Sequence, residues 1–142
     1  MKKTSVYIII ALFITSCGAS KNNSAAQNDK GNYKKLAVEK LGESITYSMN
    51  EAESYVLCMS EVKGTVKQPR NQISYVIIRV DNNRISLEDK IDGGTVRWYN
   101  EKMIEVFRTP GIMRGDQTRD DFITLYNVET GNSYPKNLKE TH

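Results

Sequence analysis

The chain has 142 residues, with 20 Lys and Arg against 17 Asp and Glu, two cysteines and one histidine. Two of the basic residues, Lys2 and Lys3, stand in a leader without acids; removing them from the formal net charge of +3 leaves +1, with the signs interspersed, which excludes the basic stripe of a nucleic-acid binder. The lone histidine is His142 at the C-terminus, where order is least expected, and this excludes Ser-His-Asp or Cys-His catalysis and histidine zinc sites.

Lys2 and Lys3 precede an apolar run from Val6 to Ile14, and the small residues Thr15 and Ser16 stand directly before Cys17 and Gly18. As a helix that run spans about 14 Å at ~1.5 Å per residue, well short of the ~30 Å hydrocarbon layer, so it reads as a secretory signal and not as a spanning helix. The stretch Ile14-Thr15-Ser16-Cys17 resembles the lipobox of bacterial lipoproteins: a branched apolar residue, two small residues, then a cysteine. The resemblance implies that residues 1–16 are removed and that Cys17 becomes a lipidated N-terminus holding the protein to the membrane. Each buried methylene of such chains adds about 0.8 kcal/mol of membrane affinity. Gly18, where some diderm lipoproteins carry a retention aspartate, implies outer-membrane sorting. With Cys17 acylated, only Cys58 is left, and no intramolecular disulfide is expected.

Residues 17–32 form the expected lipidated N-terminus and tether, because Gly18–Asn32 contains no aromatic or branched apolar residue that could offset the entropy of ordering. A single β-rich domain is expected over residues 33–135, with residues 136–142 as a disordered tail. Tyr33–Leu41 consists of good helix formers and ends at Gly42, which suits a left-handed cap and predicts a short helix, although Leu36, Val38 and Lys40 alternate with Ala37, Glu39 and Leu41 as a strand would. Beyond it the period switches to two. Ile45–Met49 and Tyr55–Met59 alternate around a polar turn at Asn50–Glu53, predicting a hairpin. Ile73–Val80 is apolar on both faces, the pattern of a central strand. Turns at Asp81-Asn82-Asn83 and Asp92-Gly93-Gly94 lead into strands at Ile85–Leu87 and Thr95–Tyr99, since Asn, Asp and Gly tolerate the positive φ of tight hairpins. Met103–Arg108, Phe122–Val128 and Ser133-Tyr134 complete a small antiparallel meander: a sandwich, partly open barrel or curved sheet with one N-terminal helix. Four short strands with Trp98 in the third resemble a β-propeller blade, but a propeller needs about four blades of ~40 residues, more than this domain holds.

The segment from Thr109 to Asp121 is the strongest functional candidate, because structureless loops beyond about 12 residues are uncommon within compact domains and often bind something. Its apolar pair Ile112 and Met113, ringed by Arg114, Asp116, Arg119, Asp120 and Asp121, reads as a partner-contact loop. Three aspartates also admit a cation, without the spacing of a calcium loop. Glu105, Asp120 and Asp121 are the carboxylates from which an acid and base pair for hydrolysis could be drawn, though nothing in the sequence fixes their separation. Cys58, between Leu57 and Met59, reads as a buried hydrophobe. The tyrosines and Trp98 read as cross-strand packing rather than a sugar platform, with Trp98 on the face of Val96 and Tyr99 on that of Arg97.

No cofactor, metal site or catalytic residue is expected. The reading is a lipid-anchored envelope protein that contacts the membrane through Cys17 and an envelope protein through the 109–121 loop, with no nucleic-acid partner. Two alternatives are an inhibitor or immunity-type lipoprotein that blocks a hydrolase, and a small carboxylate-dependent hydrolase.

Overall fold

The helix expected after the tether forms over Tyr33–Leu41 (α1) in the computed structural model, which describes residues 32–138. The leader, Cys17, the tether before Asn32 and residues 139–142 lie outside the described residues. The Gly42 amide closes α1 on the Val38 carbonyl at 2.9 Å. Gly42 has φ 85° and ψ −165°, so the cap is extended on the positive-φ side rather than left-handed helical, a region open essentially to glycine. No helix among the described residues is long and apolar enough to cross a membrane.

The rest is mainly β, in two antiparallel four-stranded sheets with no closed barrel. The first sheet runs in chain order through β1 (Thr46–Met49), β2 (Tyr55–Val62), β3 (Gln72–Arg79) and β4 (Arg84–Asp92). The second runs through β5 (Gly94–Asn100), β6 (Met103–Arg108), β7 (Ile123–Asn127) and β8 (Ser133–Pro135).

The two-sided hydrophobicity of β3 has a direct cause. Ile73, Tyr75 and Ile77 pack with Tyr55, Leu57, Val96, Ile104 and Val106 between the sheets. Val76 and Ile78 project from the other face and join Val56 and Cys58 beneath Tyr33 and Ala37 of α1. The first sheet is therefore the middle of three layers, helix over sheet over sheet. Arg108 of β6 reaches across to β4, its guanidinium 2.7 Å from Asp89 and 3.3 Å from the Tyr126 hydroxyl. Near the other edge, the Trp98 indole donates to the Ser48 carbonyl of β1 at 2.9 Å. Trp98 thus packs against the core as expected, while Tyr99 is exposed.

Three expectations change. The Asp92-Gly93-Gly94 segment is not a hairpin turn: β4 and β5 do not pair, and the chain bends there to pass from one sheet to the other, as at the corners of folded sheets. Gly94 makes the bend possible, with φ +126° and so little room that a Cβ would collide with the Phe107 carbonyl oxygen. Strand β4 runs to Asp92 and not to Leu87, carrying Glu88, Asp89 and Lys90 along a sheet edge that charge protects from pairing. The chain also keeps regular structure past Pro135, where Lys136–Leu138 forms a 3₁₀ turn.

The sandwich has two ends. One, here proximal, holds the turns after β1, β3, β5 and β7, and the start of α1, where Asn32, Lys35 and Leu36 share a surface depression with Asn83. The distal end holds the β2–β3 loop (63–71), the β4–β5 bend and the β6–β7 loop, brought level by the pairings of Gln72 with Asp92 and Gly94 with Arg108.

Candidate functional site

The β6–β7 loop is fixed at both of its ends, and its middle stands free. At the start, the Arg70 guanidinium from the neighbouring 63–71 loop donates to the carbonyls of Thr109 at 3.1 Å and Pro110 at 3.0 Å. The bend between the sheets adds two bonds, from the Gly93 amide to the Asn71 carbonyl at 2.7 Å and from the Thr109 amide to the Gly93 carbonyl at 3.3 Å. The 63–71 loop is itself closed, by reciprocal backbone bonds between Thr65 and Gln68 at 2.7 and 3.1 Å and by the Gly64 amide to the Asn71 side chain at 2.9 Å.

At the far end, Arg119–Phe122 forms a 3₁₀ turn within the segment expected to lack structure. The Asp121 carboxylate accepts from the Thr118 amide at 2.7 Å and hydroxyl at 3.2 Å, and from the Asn137 amide group at 3.0 Å. The Thr118 amide bond, followed by that from Asn137, holds the Asp121 carboxyl below its ordinary pKa.

Behind this turn, on the outer face of the second sheet, lies Glu105, which is 1% exposed. Alternation along β6 puts Ile104 and Val106 in the core and Glu105 on the opposite face. Its antiparallel partner on β5 is Arg97, whose guanidinium meets the Glu105 carboxylate at 2.8 Å. The Arg119 guanidinium lies 3.8 Å from the same carboxylate and 4.4 Å over the centre of the Phe107 ring. The Lys136 ammonium lies 3.6 Å from Glu105 and 3.2 Å from Asp120. The hydrogen bond to Asp120, ahead of the attraction of Glu105, raises the Lys136 pKa above its ordinary value.

These distances divide the seven residues singled out in the sequence. Arg119, Asp120 and Asp121 turn back onto the domain and fix the loop's base. Ile112 is 88% exposed and Met113 50%, with Arg114 and Asp116 also exposed beside them. The aspartates do not converge on one point, since Asp120 faces Lys136 and Asp121 faces Thr118 and Asn137. Glu105 and Asp120 do meet, but around one lysine ammonium and with Glu105 sealed from solvent. Cys58 is fully buried, and that burial pushes its thiol from the ordinary 9.0 up to about 12.

Sequence reasoning passed over the second loop. Val66 at its tip is fully exposed, and Lys63 and Lys67 flank it. Its signal was a single branched apolar residue among Gly, Thr, Lys, Gln and Pro, in a loop with no strand pattern. No family model matches this chain, and no curated protein or solved structure shows significant similarity to it.

Proposed function

We propose that this chain is a membrane-anchored envelope lipoprotein whose β domain is a non-catalytic binding module, presenting the distal loops to a partner surface. The observation that carries the reading is the exposure of Ile112 and Met113 at the crest of a loop clamped on one side by Arg70 and on the other by Asp121 and Lys136. An apolar crest on a fixed base loses little conformational entropy on binding, and this favours association. The lipobox-like Cys17 supplies the anchor, and α1 begins at the end of the sandwich opposite the loops. The same clamped crest also favours a second reading, an inhibitor that inserts the loop into a hydrolase; the two differ in whether the target is resident in the envelope or foreign.

The test places a photo-reactive amino acid at position 112, and in a separate protein at position 53, in cells expressing the full chain. Adducts from position 112 and none from position 53 are the expected result. No adduct from 112 to either protein or lipid, in cells where the protein is membrane-bound and the Cys17→Ser variant is not, overturns the binding reading while leaving the anchor in place.

A further inference from the structure

The two ends of the sandwich differ in the apolar side chains that their loops expose. In the distal loops, Lys63, Lys67 and Arg114 make no ion pair among the described residues and Arg70 is engaged with backbone carbonyls; of the three acids there, Asp120 is paired with Lys136, Asp121 accepts from Thr118 and Asn137, and Asp116 stands exposed beside the crest. Between these cations stand the exposed tips Val66, Ile112 and Met113. At the proximal end Glu51, Glu53 and Glu101 are matched in number by Lys34, Lys35 and Arg84, none of the six ion-paired among the described residues, while Asp81 is paired with Arg79 and Glu129 with Lys102, and no residue of the proximal turns is a large exposed hydrophobe.

We propose that the distal end docks on an anionic lipid surface, with Val66, Ile112 and Met113 entering the headgroup layer and Lys63, Lys67 and Arg114 meeting its phosphates. This rests on the binding-module reading and names the surface bound. The apolar tips are divided between two loops, each standing clear of the domain without a shared pocket or flat patch. A fluid headgroup layer accepts separate tips without matching their shape, whereas a protein interface is packed to interior density and is depleted of lysine. Two of the three free cations here are lysines, the compact charges that a phosphate-rich surface attracts.

The experiment uses the full lipidated protein held through its own anchor in phosphatidylcholine nanodiscs. An environment-sensitive fluorophore is attached at Gly115→Cys, a position where added side-chain atoms meet nothing within 4 Å and both apolar crest residues are kept. Cys58 is fully buried and does not compete for the label. Vesicles of phosphatidylglycerol with phosphatidylcholine are then added, or vesicles of phosphatidylcholine alone.

Blue-shifted, brighter emission with the anionic vesicles only is expected, with affinity falling roughly 30-fold in Lys63→Gln/Lys67→Gln and falling again as salt is raised. A label at Glu53→Cys is expected to stay unchanged. No response to anionic vesicles, an equal response to neutral ones, or unchanged affinity in the double variant overturns the proposal. A silent vesicle experiment together with protein adducts from position 112 in cells overturns lipid docking and leaves the binding module standing. Silence in both removes both.

Discussion

Glu105 shows how one residue can serve a surface without facing it. Its carboxylate is 1% exposed, yet Arg97, Arg119 and Lys136, with side chains 62%, 50% and 18% exposed, converge on it from β5 and both 3₁₀ turns. A buried charge with its partners intact adds little net stability, but removing one member leaves the others uncompensated. Glu105→Gln keeps the shape and deletes the charge. The expected cost is about 2 kcal/mol, below the 3–5 kcal/mol of a fully buried pair because water can reach two of the three cations. Urea unfolding reads the cost, and hydrogen exchange at residues 119–122 and 136–138 is expected to quicken. A cost under ~0.5 kcal/mol would mean that the cluster does not hold the loop's base. Cys58 sets a pH dependence of definite sign. Its thiol is raised from 9.0 to about 12, so folded and unfolded chains are equally protonated well below pH 9. Above that, the unfolded chain releases its proton first, and stability falls toward pH 12 by at most ~1.4 kcal/mol per pH unit. Cys58→Ala is expected to flatten this alkaline limb, and an unchanged slope would assign it to other groups.

At the scale of elements, the bend between β4 and β5 decides whether one meander becomes two packed sheets. Gly94 and Gly131 both have positive φ, at 126° and 75°, but only Gly94 is crowded by the Phe107 backbone. Gly131→Ala is therefore expected to cost about 1–2 kcal/mol, the ordinary penalty for a side chain at left-handed φ. Gly94→Ala must also move β6, and is expected to cost more than ~3 kcal/mol or to prevent folding. Equal midpoints for the two variants in denaturant would show that the bend relaxes freely. This bend was not legible in the sequence, because Asp-Gly-Gly is also the signature of a hairpin and only the location of Phe107 separates the two. Strands with local causes were legible: β3 through its two apolar faces, β6 at the expected limits of Met103 and Arg108. The charged half of β4 was not, since Glu88, Asp89 and Lys90 look like a turn until the strand is known to be an edge. The site divided in the same way. The exposure of Ile112 and Met113 followed from loop length and composition, whereas the inward roles of Arg119, Asp120 and Asp121 depend on Phe107, Lys136 and Asn137. Arg70 lies about 40 positions from the carbonyls it binds, so sequence reasoning could not join the two loops.

For the whole molecule, the middle sheet is shared by two of the three buried clusters, which predicts that these two unfold together. Its inner face packs against β5 and β6 through Tyr55, Leu57, Tyr75 and Ile77, and its outer face is sealed by α1 over Val56, Cys58, Val76 and Ile78. The same strands supply both faces, so loss of the helix exposes a sheet that the other core still needs. Among the described residues Cys58 is the one free cysteine, so cohesion there rests on packing and hydrogen bonds. Two groups report on the two sides: Trp98 at the inter-sheet core, and the Cys58 thiol beneath α1. Ala37→Asp sets an unpaired charge on α1 at a position with no exposure, at an expected cost of about 3 kcal/mol. That corresponds to a fall in Tm of roughly 12–24 °C for a domain of this size. If the layers are coupled, Trp98 fluorescence and Cys58 labelling shift together and keep a common midpoint, although the substitution touches only the helix side. Labelling of Cys58 at a temperature where Trp98 is still native would instead show that α1 detaches alone, leaving a two-sheet sandwich stable without its third layer.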